Sequence, residues 1–214
     1  MKGLLKNNFY ATLPGAKALI LVMVLAGAFI AAVISQSLLI AYIVLGIIGF
    51  SEAALGIVKD EFSSKWGKYK LTLPVKRAEI IKSQFLNQLF WMAVGILFAI
   101  TVTALSWLFH GSLFDIPLDI VTTFVMGISM SLFAGALFFP LFYCLGEERG
   151  NILIGLSLVC SFGFDYAIVT LFNYYASPGP QKPLLGIIIL MAISLLAFGL
   201  SYPLTVRIFQ RREY

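Results

Sequence analysis

Two acidic side chains lie inside long apolar runs of this sequence, Glu52 in the second run and Asp165 in the fifth. Burying an acid in lipid costs roughly 2.5 kcal/mol or more, so an acid within such a run is a candidate functional site. Glu52 lies near the end of its run, from which its side chain could extend to an aqueous boundary. Asp165 lies deeper, and it could either line a polar pathway or pair with a hydroxyl group of a neighbouring helix.

Two amide side chains, Asn87 and Gln88, join Asp165 as candidates for lining a substrate pathway. A membrane enzyme with dispersed catalytic residues would need a polar constellation in the spans, and these groups are scattered along the chain. An ion-driven secondary transporter with Asp165 as the carrier would be favoured by paired broken helices and several buried charges. Neither pattern is evident, so both functions remain alternatives to a transport subunit that has no enzyme activity.

Sequence motifs for catalysis and for ATP binding are missing. There is no G-x-x-x-x-G-K-[ST] loop to bind the phosphates of ATP. There is also no G-x-S-x-G or H-E-x-x-H motif of the kind that hydrolases use. The cysteines Cys144 and Cys160 have no spacing typical of a metal site or a disulfide framework. We therefore expect no catalytic residue, no metal and no cofactor in this chain.

An aromatic stripe follows helical spacing in the largest polar segment, residues 58–82. Such a stripe is typical of a helix that lies in the lipid interface or of one that docks into a groove of a partner protein. Asp60 and Glu61 gain nothing from an anionic membrane surface, which favours docking. The residues of the stripe are Val58, Phe62, Trp66 and Tyr69.

Composition and apolar periodicity predict the elements that position these residues. The chain has 214 residues, of which 60% are hydrophobic and 12% charged, whereas soluble domains are about half apolar and a quarter charged. A membrane-spanning helix needs about 20 apolar residues. The sequence predicts an all-α membrane protein that forms one transmembrane domain, 1–214, with six spans at about 18–34, 38–57, 85–109, 120–145, 152–172 and 184–208.

Basic residues predict how the chain is oriented in the membrane. If the N-terminus is cytoplasmic, all of the 15 lysines and arginines except Lys182 fall on the cytoplasmic side, as the positive-inside rule requires. Both ends of the chain are then cytoplasmic. The basic residues flank apolar runs and form no dense patch, so the net charge of +5 indicates contact with membrane lipid and gives no reason to expect a nucleic acid partner.

Three segments resemble the permease subunits of ABC exporters in the type-2 permease superfamily, especially the compact six-span permeases of bacterial amphipathic-peptide exporters. Residues 1–6 are similar to the short interfacial elbow helix of that family. Residues 60–75 resemble its first cytoplasmic loop, which carries a coupling helix between spans 2 and 3, and residues 146–150 resemble its second loop. Lys76 departs from the pattern, because the family often has Ser or Thr there to form a capping box with the acid at Glu79.

This resemblance implies a set of partners. A separate cytoplasmic ABC ATPase would bind ATP and Mg²⁺, and a second permease subunit would complete a homodimer or heterodimer around the substrate cavity. The location would be the plasma membrane of a bacterium, and the cargo would be amphipathic or hydrophobic peptides. The residues that the resemblance assigns to contact with the ATPase are Asp60, Glu61, Phe62, Lys65, Trp66, Tyr69, Glu147, Glu148 and Arg149.

Overall fold

Six long α-helices form the fold. The computed structural model describes residues 2–33, 35–64, 76–111, 117–175 and 182–211, and in these ranges there is no β-strand. Each helix is long and apolar enough to cross a membrane, so the prediction of six spans is confirmed. The helices are α1 Lys2–Ala32, α2 Gln36–Ser63, α3 Arg77–His110, α4 Pro117–Leu145, α5 Gly150–Tyr175 and α6 Lys182–Arg211, with a 3₁₀ turn, Glu147–Arg149, between α4 and α5.

The predicted elbow helix is not a separate element, because α1 runs without a break from Lys2 to Ala32. Its first half already packs against the other helices, since Leu4, Asn8 and Thr12 recur every four residues on one buried face. Pro14 lies on the exposed side of α1. Its missing N–H removes one helical hydrogen bond, but the helix continues past it. A continuous buried face thus joins the predicted elbow to the first span.

Helix α3 begins eight residues before the predicted span, at Arg77. Lys76 occupies the N-cap position and provides no side-chain hydrogen bond, as its departure from the capping box suggested. Glu79 lies in the first turn, where a negative charge interacts favourably with the helix dipole. The extra turns are polar, and their side chains are satisfied by partners on other helices, as described below.

The helices α2, α3 and α4 form the centre of the bundle, α1 packs against α2 and α3, and α5 and α6 pack against α4. The backbones of α2 and α3 approach closely at Gly95, where an added Cβ atom would lie 2.8 Å from the carbonyl oxygen of Gly46. Glycine at this point lets two spans pack closely in lipid. Large parts of α1, α5 and α6 expose apolar side chains, as expected of surfaces that face lipid or another subunit.

Alternating helix directions give the bundle two halves, which we name for reference. The terminal half contains the first half of α1, α3 and α5 and the second half of α2, α4 and α6, and the distal half contains the rest. The end of α2, the start of α3 and the 3₁₀ turn between α4 and α5 all belong to the terminal half. Those residues assigned by the resemblance to ATPase contact that the structure describes therefore share one end of the molecule.

Candidate functional site

The two segments assigned to ATPase contact are brought together by aromatic packing. Phe62, in the last turn of α2, lies with its ring centroid 5.5 Å from that of Phe142 and 5.4 Å from that of Tyr143. Both partners lie in the final turn of α4, directly before the 3₁₀ turn Glu147–Arg149. Glu148 and Arg149 are exposed in this turn. Residues that are more than 80 positions apart in the sequence thus form one candidate contact surface.

Neighbouring residues at the end of α2 have different surroundings. The side chain of Asp60 is 61% exposed and its carboxylate lies 3.3 Å from the amino group of Lys59. Glu61 is only 7% exposed, and its carboxylate accepts a 3.1 Å hydrogen bond from the Asn7 side chain of α1. Of the predicted acidic pair, Asp60 alone therefore faces outward in the described structure.

The described half of the aromatic stripe packs inside the chain. Val58 is 2% exposed, and the ring of Phe62 contacts α4 and α6 of the same chain. Phe62 is only partly buried and packs against the core of its own chain, and contact between its ring and a partner stays a prediction. Lys65, Trp66 and Tyr69 lie outside the described residues, so their docking stays a prediction.

A cleft of about 300 Å³ opens between α1 and α2 in the terminal half. Its walls combine the carboxylates at the end of α2 with the apolar side chains of two helices. The cleft places open space directly beside Asp60 in the candidate contact surface. Its lining residues are Asn7, Ala11, Ile57, Asp60, Glu61 and Ser64.

The amides of Asn87 and Gln88 make contacts between helices in this structure. The Asn87 side chain donates a 3.0 Å hydrogen bond to the hydroxyl group of Thr12 in α1. The Gln88 amide nitrogen donates to the Ser51 hydroxyl group of α2 at 3.1 Å and to the Ser131 carbonyl oxygen of α4 at 2.9 Å. Both residues are at most 5% exposed. They cross-link α1, α2, α3 and α4, and a role in a substrate pathway stays a prediction.

Asp165 pairs with a hydroxyl group, one of the two alternatives that the sequence left open. The Ser129 hydroxyl group of α4 donates a 2.6 Å hydrogen bond to Oδ2 of Asp165 in α5. Asp165 is 2% exposed, and its Oδ1 atom has no hydrogen-bond partner among the described residues. The rings of Phe133 and Phe164 stack 3.9 Å apart between the same two helices. The acid therefore belongs to the contact between α4 and α5.

Glu52 differs from the expectation that its side chain reaches the aqueous boundary. Both of its carboxylate oxygens are buried, and neither has a hydrogen-bond partner among the described residues. Throughout the described ranges of the chain, no three His, Cys, Asp or Glu residues are grouped as a metal site would require. The structure gives Glu52 a buried position without assigning it a ligand.

Sequence reasoning missed the polar groups that hold the terminal half together. Tyr143 donates a 2.5 Å hydrogen bond from its hydroxyl group to Oε1 of Gln84. The Arg77 guanidinium group donates to the carbonyl oxygens of Phe209 at 3.3 Å and Gln210 at 3.2 Å. The available signal was the presence of an arginine and a glutamine in the polar segment before the third apolar run, which by itself names no partner.

Comparison with protein families agrees with the architecture. The model of the family described as ABC-2 family transporter protein matches residues 3–210, nearly all of the 214 residues. Comparisons with curated proteins and with solved structures returned no match. The match includes both segments of the candidate contact surface and all six helices, except for the first residue of α1 and the last residue of α6. The chain is a multi-pass membrane protein that belongs to the ABC-2 family of transporter proteins.

Proposed function

We propose that the chain is the membrane subunit of an ATP-driven exporter whose ATPase is a separate cytoplasmic protein. The observation that carries this proposal is the family match over residues 3–210. The partner would bind ATP and Mg²⁺, since this chain has no phosphate-binding loop. The chain itself would provide the route through the membrane and the surface on which the ATPase acts.

The proposed ATPase contact combines two segments of the terminal half. Asp60, Glu148 and Arg149 are exposed there, and the packing of Phe62 on Tyr143 holds their helices side by side. One partner surface can therefore touch both segments at once. Lys65, Trp66 and Tyr69 extend the proposed contact along the connection between α2 and α3, where aromatic side chains would serve as anchors in a groove of the ATPase.

The proposed orientation puts the terminal half on the cytoplasmic side. Its support is the distribution of basic residues, of which only Lys182 falls in a distal connection or at its edge. A second permease subunit, identical or different, would pack against one of the exposed apolar faces, and lipid would cover the others. The proposed cargo, an amphipathic or hydrophobic peptide, follows from the family resemblance and would pass between the two subunits.

Copurification with an ATPase tests this proposal. We expect the tagged chain, coexpressed with candidate ABC ATPases of the same genome, to retain one of them and to form a complex that hydrolyses MgATP. The chain alone should show no turnover. An amphipathic helical peptide should stimulate the complex more than a scrambled peptide of the same composition. ATP hydrolysis by the isolated chain, or failure to retain any ATPase, would contradict the proposal.

A further inference from the structure

Four helix ends meet around the side chain of Tyr143, which is 1% exposed in the last turn of α4. Its ring centroid lies 5.4 Å from that of Phe62 in α2 and 5.0 Å from that of Phe209 in α6. Its hydroxyl group donates to the side chain of Gln84 in α3 over 2.5 Å. A single side chain carried by α4 therefore contacts three other helices.

A second contact ties α2 to the chain on the other side of the 3₁₀ turn. The Lys59 amino group donates a 2.8 Å hydrogen bond to the side-chain oxygen of Asn151, at the start of α5. Gly150 leaves room for the Lys59 stem, since an added Cβ atom would collide with that stem. The turn Glu147–Arg149 is thus bracketed by contacts to α2, with Tyr143 before it and Asn151 after it.

The geometry around Tyr143 is directional. Its ring is nearly perpendicular to that of Phe62, with an interplanar angle of 83°, the edge-to-face arrangement that aromatic pairs favour. A buried tyrosine hydroxyl group needs a partner, and a hydrogen bond in apolar surroundings resists displacement more than one in water. Sliding α2 past α4 would disturb the ring contact, and sliding α3 past α4 would disturb the hydrogen bond.

Arg77 extends this arrangement to α6. Its guanidinium group lies 5.8 Å from the centroid of the Phe209 ring and donates to carbonyl oxygens at the end of α6. A cation at a helix C-terminus is favoured by the helix dipole. The start of α3 is therefore attached to α6 through Arg77 and to α4 through Gln84, on either side of the same aromatic cluster.

We infer that Tyr143 is a positioning residue that fastens the end of α2 to the end of α4, so that the two proposed ATPase-contact segments shift as one body. Displacement of that body is delivered to α3 through the hydrogen bond between Tyr143 and Gln84. The inference rests on the proposed function for its consequence in transport, whereas the fastening itself belongs to this chain alone.

Spin-label distances between the two segments test the inference. One nitroxide is attached to Ser64→Cys after α2 and the other to the exposed native Cys144 in α4, with Cys160→Ser in the background. We expect a narrow distance distribution in the detergent-purified chain. In the ATPase complex, trapping with MgATP and vanadate should leave the distance unchanged, because the segments move together. A changed distance in the trapped complex would overturn the inference.

Tyr143→Leu supplies the perturbation, because it removes the ring that contacts Phe62 in α2. Losing this edge-to-face contact should raise the population with separated segments roughly twofold to tenfold, which broadens the distance distribution. There are two controls: Tyr143→Phe retains the ring and should leave the distribution narrow, and Tyr202→Leu removes a ring that packs on Phe85 of α3. A distribution for Tyr143→Leu identical to that of the unmodified chain would also overturn the inference.

The two proposals fail in different ways. If no ATPase copurifies with the unmodified chain, the proposed function is wrong, although the distances in the isolated chain still report whether Tyr143 fastens the segments. If an ATPase binds but the segments move apart on trapping, the proposed function survives and the role of Tyr143 is wrong. A gain of MgATP-dependent distance change in Tyr143→Leu but not in Tyr143→Phe, with ATPase binding retained, is the result that supports both.

Discussion

The terminal and distal halves of the bundle are held together by different interactions. Among the described residues, side-chain hydrogen bonds between helices in the distal half are those of Tyr42 to the Met23 carbonyl oxygen and of Ser129 to Asp165. The terminal half contains many more. Its donor and acceptor pairs are Asn7–Glu61, Asn8–Ser83, Asn87–Thr12, Gln88–Ser51, Gln88–Ser131, Tyr143–Gln84, Lys59–Asn151, Ser201–Ala136, Arg77–Phe209 and Arg77–Gln210.

This difference concerns geometry more than stability. Hydrogen bonds between spanning helices contribute about 0.6 kcal/mol on average and rarely more than about 1.7 kcal/mol. Apolar packing in lipid consists of many weak contacts, whereas a hydrogen bond between two named atoms is directional and restricts the rotation and the height of a helix at one point. Polar contacts therefore constrain the helix positions mainly in the terminal half, and a change of helix spacing in the distal half would break few of them.

The largest effect that we expect is a difference in accessibility between the halves. In a chain with Cys144→Ser and Cys160→Ser, an impermeant thiol reagent should label Ser177→Cys, in the predicted outer connection 173–183, in intact cells. Ser64→Cys should be labelled only after the membrane is permeabilised, because the distribution of basic residues places the terminal half on the cytoplasmic side. The reverse pattern would show that the halves are assigned to the wrong sides.

A side chain at Gly135 should damage the terminal half severely. An added Cβ atom there collides with the Gln88 amide, so Gly135→Val displaces the group that joins α3 to α2 and α4. Overpacking together with the loss of buried hydrogen bonds should cost about 3 kcal/mol of stability, measured by thermal melting in detergent. Gly155→Val in α5 is the control, since nothing lies within 4 Å of its added Cβ atom. Equal melting of the two variants would refute this account.

Removing aromatic side chains should weaken ATPase binding when they belong to the proposed contact and should leave it unchanged when they lie in the distal half. We expect Trp66→Ala with Tyr69→Ala to weaken ATPase binding roughly thirtyfold, about 2 kcal/mol, because buried aromatic anchors dominate docked interfaces. The measurement is the amount of ATPase that copurifies with the chain across a concentration series. Tyr166→Ala in the distal half, where the side chain is 68% exposed, should leave binding unchanged. Normal binding by the double variant would leave the loop without its proposed role.

The smallest effect is expected at Asp165. Replacing it by leucine removes the hydrogen bond from Ser129, but Ser129 retains the Met126 carbonyl oxygen as an acceptor at 3.0 Å. The cost should therefore be about 1 kcal/mol or less. Asp165→Asn should cost less still, since its amide oxygen can accept the same bond. Melting of both variants measures this, and a loss as large as that of Gly135→Val would show that the distal half depends on polar contacts after all.

The span pattern could be predicted because lipid imposes it. A run of about 20 apolar residues has few alternatives to a spanning helix. All six predicted runs lie within the observed helices except for Val33, which follows the end of α1, and Ile34, which is outside the described residues. The role of each face could not be predicted in the same way. Val58 and Phe62 have the spacing of a docking helix, but that spacing equally suits packing inside the chain. The structure buries Val58 in the core and packs the partly buried Phe62 against it.

The sequence named the segments of the candidate site but did not indicate that they contact each other. Phe62 and the segment Glu147–Arg149 were both assigned to ATPase contact, but nothing local in the sequence indicates that their helices touch. Tyr143 and Gln84 are 59 positions apart, and neither belongs to a motif. Such a pair is created by tertiary packing alone, so reading a single sequence along its length does not reveal it.

The bonds of α1 also constrain how the protein can be made. Thr12 receives the Asn87 amide, which lies 75 residues later in the chain, and Asn8 likewise depends on Ser83. At ribosomal rates of about 5–20 residues per second, roughly 4–15 s pass between synthesis of the two partners. During biosynthesis the polar face of α1 must therefore be kept away from lipid, near the insertion machinery, until α3 is inserted and can form these hydrogen bonds.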